Sequence, residues 1–180
     1  MINRNFTPFP ILTTERLTLR QLSTDDQQVI FTLRSDIEIN KYLGREPSKT
    51  IEDAIIFINK INDKIQNNNS IYWVITLSKT KTVVGTICLY DFSNENNQCE
   101  IGYELLTNFQ GQGIMKEATE GVIKYAFQTL RLQKIEAFTH KENRSSTKLL
   151  EKLYFIKSIE ADKENSDLDI FTLINSLENK

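Results

Sequence analysis

Apolar positions along the chain recur with two periods, and the switches between them mark out its elements. Leu17 and Leu19 alternate with polar neighbours, which predicts a first strand over 15–22. Ser23-Thr24-Asp25-Asp26 then offers N-cap residues for a short helix to about residue 34. Ile51, Ile55, Ile58, Ile61 and Ile65 repeat at helical spacing, and Thr50 with Asp53 has the form of a capping box. Together they predict a helix over 51–66, ended by Asn67-Asn68-Asn69-Ser70. Strands over 71–77 and 82–92 flank the polar turn Ser78-Lys79-Thr80-Lys81 and read as an antiparallel hairpin. A third strand over 98–106 follows the turn containing Asn94, Asn96 and Asn97. Ala118, Val122 and Ala126 mark one face of a helix reaching about residue 130. A strand over 135–139, a helix over 144–153 and a closing strand pair over 155–160 and 168–174 complete the chain, before a polar tail.

The resulting order is strand, two helices, three antiparallel strands, helix, strand, helix and two strands. That is a mixed α/β layer and departs from the strict alternation of a Rossmann sheet. With 180 residues and no repeat, linker or low-complexity block, a single domain over 1–180 is expected, its core spanning about 11–174.

Charge narrows the partners. The formal net charge is −2 and the pI about 5.6, with acids and bases interspersed. No basic footprint for nucleic acid or an anionic membrane surface exists, so any anion site must be built locally. Cys88 and Cys99 lack metal-binding spacing and sit in strand-like segments, so they read as small buried thiols, with no metal site expected. Met1 to Pro10 has no apolar signal core and no run approaches a membrane span, so a cytoplasmic protein is expected.

The local anion site is Phe109-Gln110-Gly111-Gln112-Gly113-Ile114-Met115-Lys116, between a strand and a helix. Glycine tolerates positive φ, so successive backbone N–H groups can turn inward around an anion, and the following helix adds its free N–H groups and positive dipole end. A pyrophosphate fits that description. The Rossmann spacing fails, because Lys116 stands where the third glycine belongs, and the Walker pattern is absent. On the preceding strand, alternation places Glu100, Gly102 and Glu104 on one face and Cys99, Ile101, Tyr103 and Leu105 on the other. Two carboxylates flank a glycine that leaves room for a substrate. Each carboxylate has the alternative of pairing with a lysine or arginine.

Four ordered motifs carry a family resemblance. Gln110, Gly113 and Met115 fall on the specified positions of a Q/R-x-x-G-x-G/A loop, with Met115 departing from the last. Thr14-Glu15-Arg16-Leu17-Thr18-Leu19-Arg20 is similar to an "ERLxLR" opening, and Glu100-Ile101-Gly102-Tyr103-Glu104-Leu105 to the strand before the loop. Asn143-Arg144-Ser145-Ser146 with Leu149 to Phe155 is similar to "NxxS…LLEKLGF", Tyr154 replacing the glycine. The chain thus resembles the Gcn5-related N-acetyltransferases (GNAT), in the branch that contains the ribosomal-protein acetyltransferases.

The resemblance implies a GNAT fold, a mostly antiparallel sheet of about six to seven strands flanked by about four helices. It also implies acetyl-CoA as co-substrate and direct attack of a primary amine on the thioester. The implied acceptor is a protein or peptide N-terminus, with a small-molecule amine as the alternative; a monomer or homodimer is expected. A non-catalytic acyl-CoA-binding module is the competing class. Gln110, Gly111, Gln112, Gly113, Ile114 and Met115 would hold the pyrophosphate, mainly through backbone; Lys116 would add a phosphate contact or remain a surface lysine. Asn143 would both cap its helix and touch the pantetheine or a bound water. Glu100 is the implied base and Glu104 the second candidate. The tyrosine that often protonates the thiolate has Leu150 in its place, so Ser146 is the implied acid. His140 reads as a satisfied strand-end residue, and Tyr72, Trp73 and Tyr103 as sheet core.

Overall fold

The computed structural model describes residues 4–159, 162 and 164–176. Its strands are β1 (Leu12–Thr13), β2 (Leu17–Gln21), β3 (Ile71–Leu77), β4 (Val83–Ser93), β5 (Gln98–Leu105), β6 (Lys134–His140), β7 (Ile156–Lys157) and β8 (Leu168–Ile174). The helices are α1 (Gln27–Ser35), α2 (Ile37–Asn40), α3 (Ile51–Gln66), α4 (Ile114–Gln128) and α5 (Arg144–Lys152). The fold is therefore the expected mixed α/β type, with two more short elements, β1 and α2, than the periodicity predicts. A strand of two residues and a helix of one turn are too short to leave a periodic signal.

The strands form one sheet in the order β1-β2-β3-β4-β5-β6-β8-β7. Every neighbouring pair is antiparallel except β5 and β6. Of the predicted 155–160 strand, only Ile156–Lys157 pairs, and Glu160 lies outside the described residues.

The predicted helix starts are realised in the side chains. Ser23 and Asp26 form a capping box before α1, and Thr50 with Asp53 forms another before α3. Trp73, Ile75, Ile87 and Leu89 belong to the buried core, joined by Ala118, Val122 and Ala126 of α4. Trp73 meets Tyr125 of α4 edge to face at 5.5 Å. On the opposite face Tyr72 meets Phe57 of α3, so helices cover both sides of the sheet. Tyr72 and Trp73 are thus core residues, as expected. Cys88 and Cys99 are free thiols, and burial pushes the Cys88 thiol up to about 12 and the Cys99 thiol upward too.

Tyr154 shows how firmly the backbone of the α5 turn is determined. It has φ 64°, where the family pattern has glycine. The Phe155 N–H donates to the Leu150 carbonyl and the Tyr154 N–H to that of Glu151, which is a Schellman closure. Leu150 and Phe155 are both buried, so the turn is kept by packing around an aromatic side chain that is itself 84% exposed.

Candidate active site

The two parallel strands part company after three residues. Pairing of β5 with β6 covers only Gln98 with Lys134, Cys99 with Ile135 and Glu100 with Glu136. Beyond that point they diverge, leaving backbone groups on their inner edges for a ligand. A cavity of about 540 Å³ occupies the opening. Ile101, Gly102 and Tyr103 of β5 and Ala137 to His140 of β6 form its sides. Lys41 to Gly44, Tyr90, Asn143, Ser146, Asn165 and Leu168 complete the wall.

Gly111 and Gly113, in the loop that follows β5, adopt φ of 74° and 75°. Gly113 is the N-cap of α4 and carries no side-chain cap, while the first helical bond runs from Glu117 N–H to its carbonyl. The N–H groups of Ile114, Met115 and Lys116 therefore have no intrahelical partner and lie at the positive end of the helix. A Cβ built on Gly111 would meet nothing within 4 Å, so the turn is open on that side. These features fit a pyrophosphate held by backbone amides. The side chains of Gln110 and Gln112 donate back to the Leu105 and Asn108 carbonyls, which shapes the loop. Met115 places its side chain in the core, where its size is accommodated. Lys116 pairs with Glu120 one turn on, at 2.6 Å.

A tie that the sequence reading did not identify holds this loop. Glu117, in the first turn of α4, accepts from the Thr14 hydroxyl at 2.6 Å, the Arg16 N–H at 2.8 Å and the Arg16 guanidinium at 2.6 Å. The same guanidinium donates to the Gln112 carbonyl at 3.1 Å. Burial alone would raise the Glu117 carboxyl, but the bonds from Thr14 and Arg16 outweigh it and hold it below the ordinary glutamate value. The motif at Thr14 to Arg20 thus connects to the loop through side chains about a hundred residues away.

Glu100, Gly102 and Glu104 share a sheet face, opposite Tyr90, Cys88 and Thr86 of β4. Their surroundings differ sharply. The Glu100 carboxyl is raised by burial, with the nearby charges of Asp91, Glu136 and Asp162 adding to it and a bond from the Tyr90 hydroxyl opposing it. Glu100 is not among the residues that line the cavity, whereas Tyr90, whose hydroxyl bonds to it, is. Both oxygens of Glu104 are taken by Arg45, at 2.6 and 2.7 Å. This is the structural alternative for Glu104, whose carboxylate is held in a bidentate pair with the Arg45 guanidinium.

Asn143 caps α5 by accepting from the Ser146 N–H at 3.2 Å and also lines the cavity. Ser146 is three residues into the helix region and not its cap. Its hydroxyl lies 2.9 Å from the Tyr103 hydroxyl. Tyr103 is therefore a cavity residue and not simply sheet core, because beyond Glu100 no strand covers that edge of β5. Burial raises the Tyr103 phenol to about 12, against the bond from Ser146. Leu150, in the position of the usual tyrosine, is fully buried. His140 accepts the Glu142 N–H on Nδ1 at 3.2 Å, and Tyr42 stacks on its ring at 5.2 Å. The only signal that could have found Tyr42, Arg45 or Tyr90 was residue type, since each reaches the site through the fold.

Known proteins match this arrangement. Residues 16–156 match the family model described as an acetyltransferase (GNAT) domain. YoaA, an uncharacterized N-acetyltransferase of Bacillus subtilis (strain 168), is 36% identical over 149 residues, which cover 83% of this chain and 84% of that protein. Two solved structures share the fold at low identity. Spermidine N-acetyltransferase from Vibrio cholerae, with CoA and spermine, superposes with a TM-score of 0.79 at 23% identity, covering 91% of this chain and 98% of the other. The ribosomal L7/L12 α-N-protein acetyltransferase RimL, with CoA, gives 0.81 at 16% identity, covering 92% and 98%.

Proposed function

Because the chain belongs to the GNAT acetyltransferase family, and is accordingly an acetyl-CoA-dependent N-acetyltransferase, we propose that its acceptor is the α-amine of a protein or peptide N-terminus. Acetyl-CoA supplies an acetyl thioester whose carbonyl carbon a neutral amine can attack. The loop from Gln110 to Met115, with Lys116 beside it, binds the pyrophosphate, and Asn143 the pantetheine arm. Tyr90 takes a proton from the attacking amine on its phenol oxygen while passing its own to Glu100. Ser146 donates a proton to the departing sulfur and recovers one through the Tyr103 hydroxyl, which in turn takes one from solvent. A raised glutamate is basic enough for an α-amine, whose pKa is near ~7.7–8.0, and less suited to an alkylamine near ~10.4.

The cavity wall carries this reading. Its described residues are aromatic, aliphatic, amide and hydroxyl groups with Lys41 and His140, and no aspartate or glutamate is among them. A polyamine with several ammonium charges finds no matching anions there, whereas one α-amine with an uncharged neighbouring chain does. RimL, named for an α-N-protein acetyltransferase, has the same fold, as does the spermidine enzyme.

Thiol release from acetyl-CoA, measured with a panel of amines, tests the assignment. Short peptides with free N-termini should accelerate release and gain acetyl on the α-nitrogen, while N-terminally blocked copies should not. Faster turnover of spermidine than of every peptide would show that the acceptor class is wrong.

A further inference from the structure

Arg45 stands at the end of an exposed segment that has few other contacts. Its Nη1 and Nη2 bind Glu104 of β5 at 2.6 and 2.7 Å, and its Nε donates to the Asn40 side chain at 2.7 Å. Asn40 is itself buried and donates to the carbonyls of Leu33 and Asp36, at 2.9 and 2.7 Å. One guanidinium therefore joins the end of α1, α2 and strand β5. The pair is 21% and 14% exposed, so solvent screens it less than a surface ion pair.

Lys41, Tyr42, Leu43 and Gly44, which directly precede Arg45, form part of the cavity wall. Apart from Tyr42 they are exposed, and Gly44 turns at φ 55°. Backbone bonds run from Leu43 to Asn40 at its start and from Ser48 to Arg34 beyond its end. Its middle is held by the Tyr42 ring stacked on His140, at the end of β6. The segment is thus a strap across the gap between the diverging strands, tied to β5 through Arg45 and to β6 through Tyr42.

We infer that the Arg45–Glu104 pair sets the position of this strap and so determines which acceptors enter. Glu104 is then a positioning residue and not a base. The inference rests on the acetyltransferase reading for its acceptor half, but the strap itself can be followed without turnover. Burying this carboxylate is accounted for by its bidentate partner; removing either partner leaves a charge uncompensated and releases the segment.

Hydrogen exchange at the Leu43 and Ser48 amides, which donate to the Asn40 and Arg34 carbonyls, together with steady-state kinetics on a peptide acceptor, tests it with Glu104→Gln, Arg45→Met and the milder Arg45→Lys. Exchange should accelerate about tenfold in the first two and less in Arg45→Lys. Acceptor KM should rise about tenfold in parallel, with kcat, acetyl-CoA affinity and the acid limb of the pH profile little changed. Unaltered exchange in all three folded variants overturns the inference, as does faster exchange with unchanged acceptor KM. A fall in kcat with loss of the acid limb in Glu104→Gln overturns it in favour of a base. If the wild type acetylates no amine while exchange accelerates as expected, the positioning role stands and the proposed acceptor fails.

Discussion

The glycine loop before α4, proposed to hold the pyrophosphate, and the strap proposed to lie on the acceptor side are both short, exposed and turned by glycine, yet they are built on opposite principles. The loop offers backbone amides, and its geometry follows from two positive-φ glycines and a helix start within six residues. The strap offers side chains, and its place depends on Arg45 and Tyr42 reaching residues 59 and 98 positions further along the chain. A donor common to a family can be held by backbone, because phosphate oxygens need only N–H groups. An acceptor that differs among relatives must be met by side chains, which vary without disturbing the fold.

The comparison can be tested most severely at the point where the two halves meet. On the proposed mechanism Glu100→Gln removes the group that receives the amine's proton, so kcat should fall about 10²–10³-fold, with acetyl-CoA affinity unchanged by calorimetry. In the wild type, the active form is the deprotonated one and its carboxyl is raised by burial. The rate should therefore fall on acidification from above the ordinary glutamate value, and this limb should be absent in the variant. An unchanged rate would remove Glu100 from the site.

Next in size is the loop. Gly113→Ala forces a Cβ into φ 75°, at a cost of about 1–2 kcal/mol. Acetyl-CoA affinity should drop about tenfold with no change in acceptor KM, the reverse of the pattern expected for the strap. Equal effects on both ligands would break the division between backbone-built and side-chain-built halves.

A smaller effect is expected at Glu117, which ties the loop to Arg16. Its carboxyl is held low in the folded protein, so its contribution is present above the unfolded pKa and disappears as pH falls through the folded one. Glu117→Gln should lower stability at pH 7 by about 1–2 kcal/mol in denaturant melts, and the difference from wild type should vanish under acid. A difference that persists at low pH would mean that the carboxylate charge is not what holds the tie. Smallest of all, Tyr154→Gly relieves a positive φ and should stabilise the protein by roughly 1 kcal/mol. A loss of stability would show that the exposed ring makes contacts worth more than the strain.

Much of the fold was legible because its signals are local. The α3 stripe of isoleucines, the two capping boxes and the hairpin at Ser78 to Lys81 each lie within one element or one turn, and each is present. Tyr154 marks a limit of residue-by-residue reading. The turn survives a poor residue because Leu150 and Phe155 close it through the core. The site was legible in part for the same reason. Gly111 and Gly113 announce their backbone, and Asn143 announces its cap. Alternation along β5 correctly put Glu100 and Glu104 on one face, but it cannot distinguish a carboxylate bonded to a phenol from one gripped by a guanidinium. Tyr103 packs against the core as read but also lines the cavity, and nothing local says that β6 leaves β5 after Glu136.

By itself, then, the sequence determined the order of the longer elements, the family, the backbone of the glycine loop and the helix caps, all encoded by neighbours within a few residues. Only the tertiary structure decided that β5 and β6 separate, that Tyr90 bonds to Glu100, and that Arg45 claims Glu104. The physical reason is range. Backbone preference and periodicity act over one or two turns, whereas the pairing of a buried charge is settled by whichever distant groups the packed sheet brings within hydrogen-bonding reach.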